Sequence, residues 1–119
     1  LEKARRVDVA LVGIGYPDKS SSMVLAGYFR KDDLRDLLKY HVVGDICTRF
    51  FDGMGAVPPI ALNDRVIGIE LGALREIDNV IGVAGGPQKV RAILGALRAG
   101  FLKSLITDSV TAAAILHEI

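Results

Sequence analysis

From Leu71 to its end the chain alternates short apolar runs with amphipathic segments. LGALREI predicts a short helix, Asn79 to Val83 a strand, Pro87 to Leu97 a helix, Ser104 to Thr107 a strand, and the residues from Ser109 onward a last helix. Strands and helices in regular alternation specify an α/β layer built on a parallel sheet with right-handed crossovers. After Gly85-Gly86, the residues Val90, Ile93, Leu94 and Leu97 form one apolar stripe, and Pro87 suits the first helical position. Near the other end, Val7 to Ile14 (VDVALVGI) is an almost unbroken apolar run closing in Gly13-Ile14-Gly15, the pattern of a strand buried on both faces. It follows the first residues at once, and with Leu at position 1 this predicts a piece of something longer.

Between these blocks the pattern is less regular. Tyr16 to Met23, with Ser20-Ser21-Ser22, has the composition of a loop. Asp32 to Tyr40 places Leu34, Leu37 and Leu38 at helical spacing, with acids at its start and Lys39 near its end as the helix dipole prefers. Val42 to Phe51 reads as extended and Asp52-Gly53 as a turn. Ala56 to Ile69 then returns through Pro58-Pro59 and Asn63-Asp64 into Val66-Ile67-Gly68-Ile69, so the middle third is expected to be an irregular β arm.

Composition narrows the chemistry. The 119 residues suit one domain or part of one, and 50% hydrophobic against 24% charged is ample for a packed core. A formal charge of +1 leaves no electrostatic footprint for nucleic-acid backbone binding by this piece. No run is long and apolar enough to span a bilayer and no secretory core precedes the first strand, so no membrane partner and a cytoplasmic location are expected. A lone Cys47 excludes an internal disulfide, and His41 and His117 cannot complete a Cys/His metal cluster, so neither metal nor cofactor is expected. No nucleophile–base pair or close acidic pair with an obvious role is present, and catalysis has no support in the sequence.

Ligands of open α/β sheets sit outside the carboxyl ends of the strands, where loops feed helices. Three loops here are of that kind: Gly13-Ile14-Gly15, Ala84-Gly85-Gly86-Pro87 and Thr107-Asp108-Ser109. Lys89 falls in the first helical turn after Gly86, where a cation opposes the macrodipole; a bound anion would resolve that conflict, and a solvated lysine is the plain alternative. Asp45 lies between Val42-Val43-Gly44 and Ile46-Cys47, an apolar stretch in which a carboxylate needs a partner: a sugar hydroxyl, or an arginine such as Arg49 or Arg65. Asn63-Asp64-Arg65 has turn composition, and Asp108 suits a helix N-cap.

The blocks Val43-Gly44-Asp45-Ile46-Cys47 with Arg49-Phe50-Phe51-Asp52 and Gly55, Leu62 to Ile69, Val80 to Gly86 with Lys89 and Ala92-Ile93-Leu94, and Leu105-Ile106-Thr107-Asp108 resemble, in order and spacing, the sugar-binding domain of SorC-type bacterial transcriptional regulators. The resemblance runs over nearly the whole chain. It implies a Rossmann-like fold related to glucosamine-6-phosphate deaminase and ribose-5-phosphate isomerase, with a mostly parallel sheet flanked by helices, and an effector-binding function for a phosphorylated sugar. It implies further that residues 1–119 are the C-terminal part of a single sugar-phosphate-binding domain about twice this length. The earlier half, with its phosphate loop, and an N-terminal helix-turn-helix domain that alone would contact DNA, lie outside this sequence. A homo-oligomer is expected. Carried over by position, Lys89 binds phosphate, Asp45 bonds sugar hydroxyls, and Gly13, Gly15, Gly85 and Gly86 supply backbone around the ligand. Asn63, Asp64, Arg65 and Asp108 are either ligand contacts or structural. The alternative function is a sugar-phosphate isomerase or deaminase of the same fold superfamily, which needs an acid/base pair beyond these residues.

Overall fold

The structure is a computed structural model that describes residues 1–18 and 25–119; the central part of the predicted Tyr16–Met23 loop, including Ser20-Ser21-Ser22, lies outside the described residues. A parallel sheet of order β1-β4-β5 is formed by β1 (Val9–Gly13), β4 (Asn79–Val83) and β5 (Ser104–Ile106). Its register places Val9 opposite Asn79, Leu11 opposite Ile81, Gly13 opposite Val83, and Ile81 opposite Ser104. Helix α5 (Val90–Arg98) connects β4 to β5, and α6 (Ser109–Glu118) follows β5. Ahead of β4 come α1 (Glu2–Arg5), α2 (Lys31–Lys39), an antiparallel hairpin of β2 (Val42–Ile46) and β3 (Arg49–Asp52), and two short helices, α3 (Ala61–Asp64) and α4 (Leu71–Leu74).

Alternation along the strands decides where the core sits. Val12 and Ile14 of β1 and its extension, with Val80 and Ala84 from the β4 segment, point to one side, where Leu71 and Leu74 of α4, Ala92, Ile93 and Ala96 of α5, and Ile115 of α6 pack on them. Phe51 and Phe101 close this cluster edge to face, with centroids 5.7 Å apart. A second cluster of Leu37, Val42, Phe50, Ile60 and Leu62 joins α2 to the hairpin. α5 approaches the hairpin so closely that a Cβ on Gly44 would stand 2.6 Å from the Cβ of Ala92 and one on Gly95 would stand 2.9 Å from the Asp52 carbonyl oxygen.

The parallel α/β layer and the last two strand-to-helix units stand as expected from the alternation; four readings need correction. β1 is not covered on both faces: Val9 is 53% exposed and Leu11 70%. The first residues are not a direct lead into the strand but a helical turn, α1. The β arm of the middle third is confined to the β2–β3 hairpin: it turns at Cys47-Thr48, Asn63-Asp64 belongs to α3, and Val66 to Ile69 forms no strand. Cys47 and Thr48 both adopt positive φ (52° and 64°), the conformation a two-residue hairpin turn requires but one that neither residue type advertises. The Asp52-Gly53 turn does form, with the Asp52 carboxylate accepting from the amides of Met54 and Ala56 at 2.9 Å each. Finally, the helix after Gly86 opens with a 3₁₀ turn, Pro87–Lys89, before α5 proper.

Candidate functional site

Three segments converge at the carboxyl ends of β1 and β4. Gly15, just past β1, forms an isolated antiparallel bridge with Asp45 of β2: the Gly15 amide donates to the Asp45 carbonyl at 2.9 Å and the Asp45 amide to the Gly15 carbonyl at 3.0 Å. This bridge ties the hairpin to the sheet. The Asp45 carboxylate lies directly over Gly15, where any β-carbon would collide with it, so glycine is required there by space. Gly13 has no such neighbour; a Cβ there would meet open space, and its place is at the mouth of the strand.

Asp45 is half-buried, and its carboxyl is pushed above the usual carboxylate range by burial. The positive charge of Lys89 and a hydrogen bond from the Thr48 amide oppose that shift. Lys89 thus acts on Asp45 through space, yet among the described residues the two form no ion pair. Lys89 ends the 3₁₀ turn and caps α5. A cavity of about 170 Å³ opens between the loop after Gly15 and this turn, lined by Tyr16, Pro17, Val42, Val43, Gln88 and Arg91.

The Gly85-Gly86 loop is bound to the start of α6. The Gly86 amide donates to the Thr111 hydroxyl at 2.8 Å, and Thr111 donates its amide (2.7 Å) and hydroxyl (2.8 Å) to Asp108. Asp108 is therefore the N-cap of α6, and these bonds from Thr111 hold its carboxyl below the usual range. Gly86 has φ +116° and its amide is engaged inside the protein, so its contribution here is the shape of the turn that presents Lys89.

Asn63 and Arg65 are occupied elsewhere. Buried Asn63 accepts from the Phe50 amide at 2.7 Å and donates to the carbonyls of Phe50 (3.2 Å) and Pro58 (3.0 Å), stitching α3 along β3. Arg65 forms a two-pronged pair with buried Asp33 of α2 at 2.8 and 3.3 Å. Asp64 is exposed on α3. Of the sequence-selected residues, the fold gathers Gly15, Asp45 and Lys89, places Gly13, Gly85 and Gly86 at the adjoining strand ends, and puts Asn63 and Arg65 into the framework.

Sequence reasoning missed the Cys47-Thr48 turn, and the arginines it offered as partners of Asp45 are both engaged elsewhere, Arg65 with Asp33 and Arg49 with backbone carbonyls. The Cys47-Thr48 turn places the Thr48 amide on Asp45, and Cys47 stands near enough that burial first and the Asp45 charge second push its thiol pKa up. Arg49 donates to the carbonyls of Ile69 (3.2 Å), Asn63 (3.0 Å) and Gly68 (3.0 Å), pinning the segment ahead of α4 to the hairpin. The Asp45–Arg49 pairing that the sequence offered is therefore not made, because carbonyl acceptors, which no residue type advertises, take the guanidinium.

A parallel α/β sheet whose strand-end loops feed helices is the architecture in which open α/β sheets hold ligands. Comparison with known proteins gives the family: the chain matches the Sugar-bind model of the sugar-binding domain over residues 1–117, and it belongs to that family. It is 40% identical over 119 residues to the deoxyribonucleoside regulator of Bacillus subtilis, covering all of this chain and 38% of that protein. Among solved structures it resembles a DeoR family transcriptional regulator from Listeria monocytogenes, with TM-score 0.92, 36% identity, and coverage of 97% of this chain and 47% of that one. The full-length sorbitol operon regulator SorC from Klebsiella pneumoniae matches with TM-score 0.84 and 35% identity over 97% of this chain and 37% of that one. The chain thus spans less than half the length of these relatives and is a fragment of a sugar-binding domain of SorC/DeoR-type transcriptional regulators.

Proposed function

We propose that this fragment carries one side of the effector site of a cytoplasmic transcriptional regulator, and that the effector is a phosphorylated sugar. The phosphate lies against Lys89 and the turn set by Gly85-Gly86, and the hydroxyls lie against Asp45, held over Gly15 at the end of β1. Gly13 keeps the mouth of β1 open, and a second set of phosphate contacts comes from the earlier half of the same domain. The observation that carries this reading is the Asp45–Lys89 arrangement: opposite charges, one on β2 and one on the turn that opens α5, that feel one another without pairing. An anion alone would be repelled by Asp45 and a neutral polyol would leave Lys89 unused; a sugar phosphate satisfies both. The site senses and does not catalyse, DNA is contacted through a separate helix-turn-helix domain, and the regulator acts as a homo-oligomer.

The test is calorimetry on the intact regulator with a panel of pentose and hexose phosphates and with inorganic phosphate. Lys89→Ala is expected to weaken the sugar phosphate by about 1.5–3 kcal/mol, the scale of a charge-assisted hydrogen bond. Asp45→Asn is expected to lose sugar affinity while inorganic phosphate still binds. Unchanged affinity in Lys89→Ala overturns the assignment, and steady consumption of any sugar phosphate overturns the sensor reading in favour of an enzyme.

A further inference from the structure

Helix α6 (Ser109–Glu118) has two unlike sides. On the inner side Thr111 and Ile115 are buried, Ile115 within the main core cluster. On the outer side Val110, Ala113 and Leu116 follow one another at intervals of three, so they share one face. All three are exposed, Val110 by 70% and Leu116 by 71%. No charged residue stands between Ser109 and Leu116. A helix that meets water on one side carries polar residues there, whereas one that is apolar all round is covered. The register of the outer face indicates the cover. Val110 lies three residues before Ala113 and Leu116 three after it, about 4.5 Å to either side at 1.5 Å per residue. A second copy of the helix, laid antiparallel across a two-fold axis at Ala113, therefore sets Val110 of each copy against Leu116 of the other. Alanine meets alanine at the crossing, where small side chains let helices approach closely. The same operation brings His117 of one copy level with Ser109 of the other, beside the Asp108 carboxylate that caps that helix, and runs the two macrodipoles in opposite directions.

We infer that the outer face of α6 is a two-fold contact between copies of this chain, made by Val110, Ala113 and Leu116. The inference rests on the homo-oligomer reading above and adds which surface makes the contact. A single helix pair covers less than the roughly 800 Å² per partner of a standard interface, so it adds to other contacts of the intact regulator. The contact is also joined to the effector turn. Thr111, on the inner side of the same helix, accepts from the Gly86 amide at 2.8 Å, and Gly86 opens the turn that presents Lys89. One helix therefore touches the loop assigned to the effector on its inner side and the second copy on its outer side.

The test is cysteine cross-linking on the intact regulator, with Cys47→Ser as the background because the Cys47 thiol is exposed. No ligand is present, so the outcome is separate from that of the effector reading. A disulfide needs Cα atoms within about 7 Å, and Ala113→Cys is expected to link copy to copy through position 113, read as the linked peptide in a mass spectrometer. Ile67→Cys, at a residue 94% exposed in the loop before α4, is the control and is expected to link at least about tenfold less, since nothing holds two copies of it within that reach. Ala113→Glu, which sets like charges at the crossing, is expected to raise the concentration at which the oligomer dissociates in light scattering by about tenfold or more. No link at position 113, or equal linking at position 67, in a regulator that remains oligomeric overturns the inference and leaves the homo-oligomer reading standing. A monomeric wild type overturns both.

Discussion

Replacing Asn63 with alanine is the sharpest test of how the middle of this chain is held. The side chain is 5% exposed and bonds to backbone groups: it accepts from the Phe50 amide at 2.7 Å and donates to the Phe50 carbonyl at 3.2 Å and the Pro58 carbonyl at 3.0 Å. Truncation leaves that amide and both carbonyls without this partner, and a buried polar group left unsatisfied costs about 1–3 kcal/mol. Allowing partial repair by water at the carbonyls, the loss is roughly 3–5 kcal/mol, a large part of the 5–15 kcal/mol typical of a domain. Scanning calorimetry of the intact regulator should show the sugar-binding domain melting roughly 10 °C lower, given about 2–4 °C per kcal/mol at this domain size. Asn63→Asp keeps an acceptor for the Phe50 amide but sets a carboxylate against two carbonyls, so it should also melt low at neutral pH and recover in part as the pH falls. The refuting result is a melting point within about 2 °C of wild type together with collapsed sugar-phosphate affinity. Asn63 would then be a ligand contact and the framework reading would be wrong.

Other perturbations separate framework from site. Asp33, whose carboxyl is held below its ordinary value of 3.8 chiefly by the Arg65 hydrogen bonds, contributes stability that is fully present above that value and is lost as the pH falls through the lower folded value. Urea midpoints measured from pH 5 to pH 2 should therefore fall less steeply in Asp33→Asn than in wild type, from a lower starting stability, and parallel profiles would count against the pair. At the hairpin turn, Thr48→Gly removes a β-branched residue from φ +64°. Relief of about 1–2 kcal/mol of left-handed strain, less the greater chain freedom of glycine at about 0.4–1 kcal/mol, predicts a net gain near 0.5–1 kcal/mol in the urea midpoint. Sugar-phosphate affinity should be retained, because the amide that bonds Asp45 is still there.

What could be read from the sequence followed from periodicity. Asn79–Val83 came out with correct bounds because its apolar run is flanked by Asp78 and by Ala84-Gly85-Gly86, and the position of Lys89 after Gly86 showed because glycine and proline mark where a helix begins. Asp45 showed as a carboxylate among apolar neighbours. The hairpin turn did not, because Cys47 and Thr48 are held at positive φ by the surrounding fold rather than by preference. Nor could periodicity assign Asn63, since a four-residue helix carries no repeat and its anchor, Phe50, is thirteen positions away. β1 was read as twice covered because its composition is that of a twice-covered strand, whereas among the described residues Val9 and Leu11 lie exposed.

The pairing of Val9 with Asn79 carries a cost in time as well as in space. The backbone must close a loop of roughly 70 residues before the first sheet ladder forms, an entropy of about 4 kcal/mol on the (3/2)RT ln n scale. The β2–β3 hairpin, closed by a two-residue turn, faces almost no such cost. During synthesis the hairpin is thus free to form as it leaves the ribosome, while β1 waits for a partner made seconds later at about 5–20 residues per second. In that interval the edge of β1 that will hold β4 stays open, the kind of apolar edge that chaperones hold and aggregates recruit.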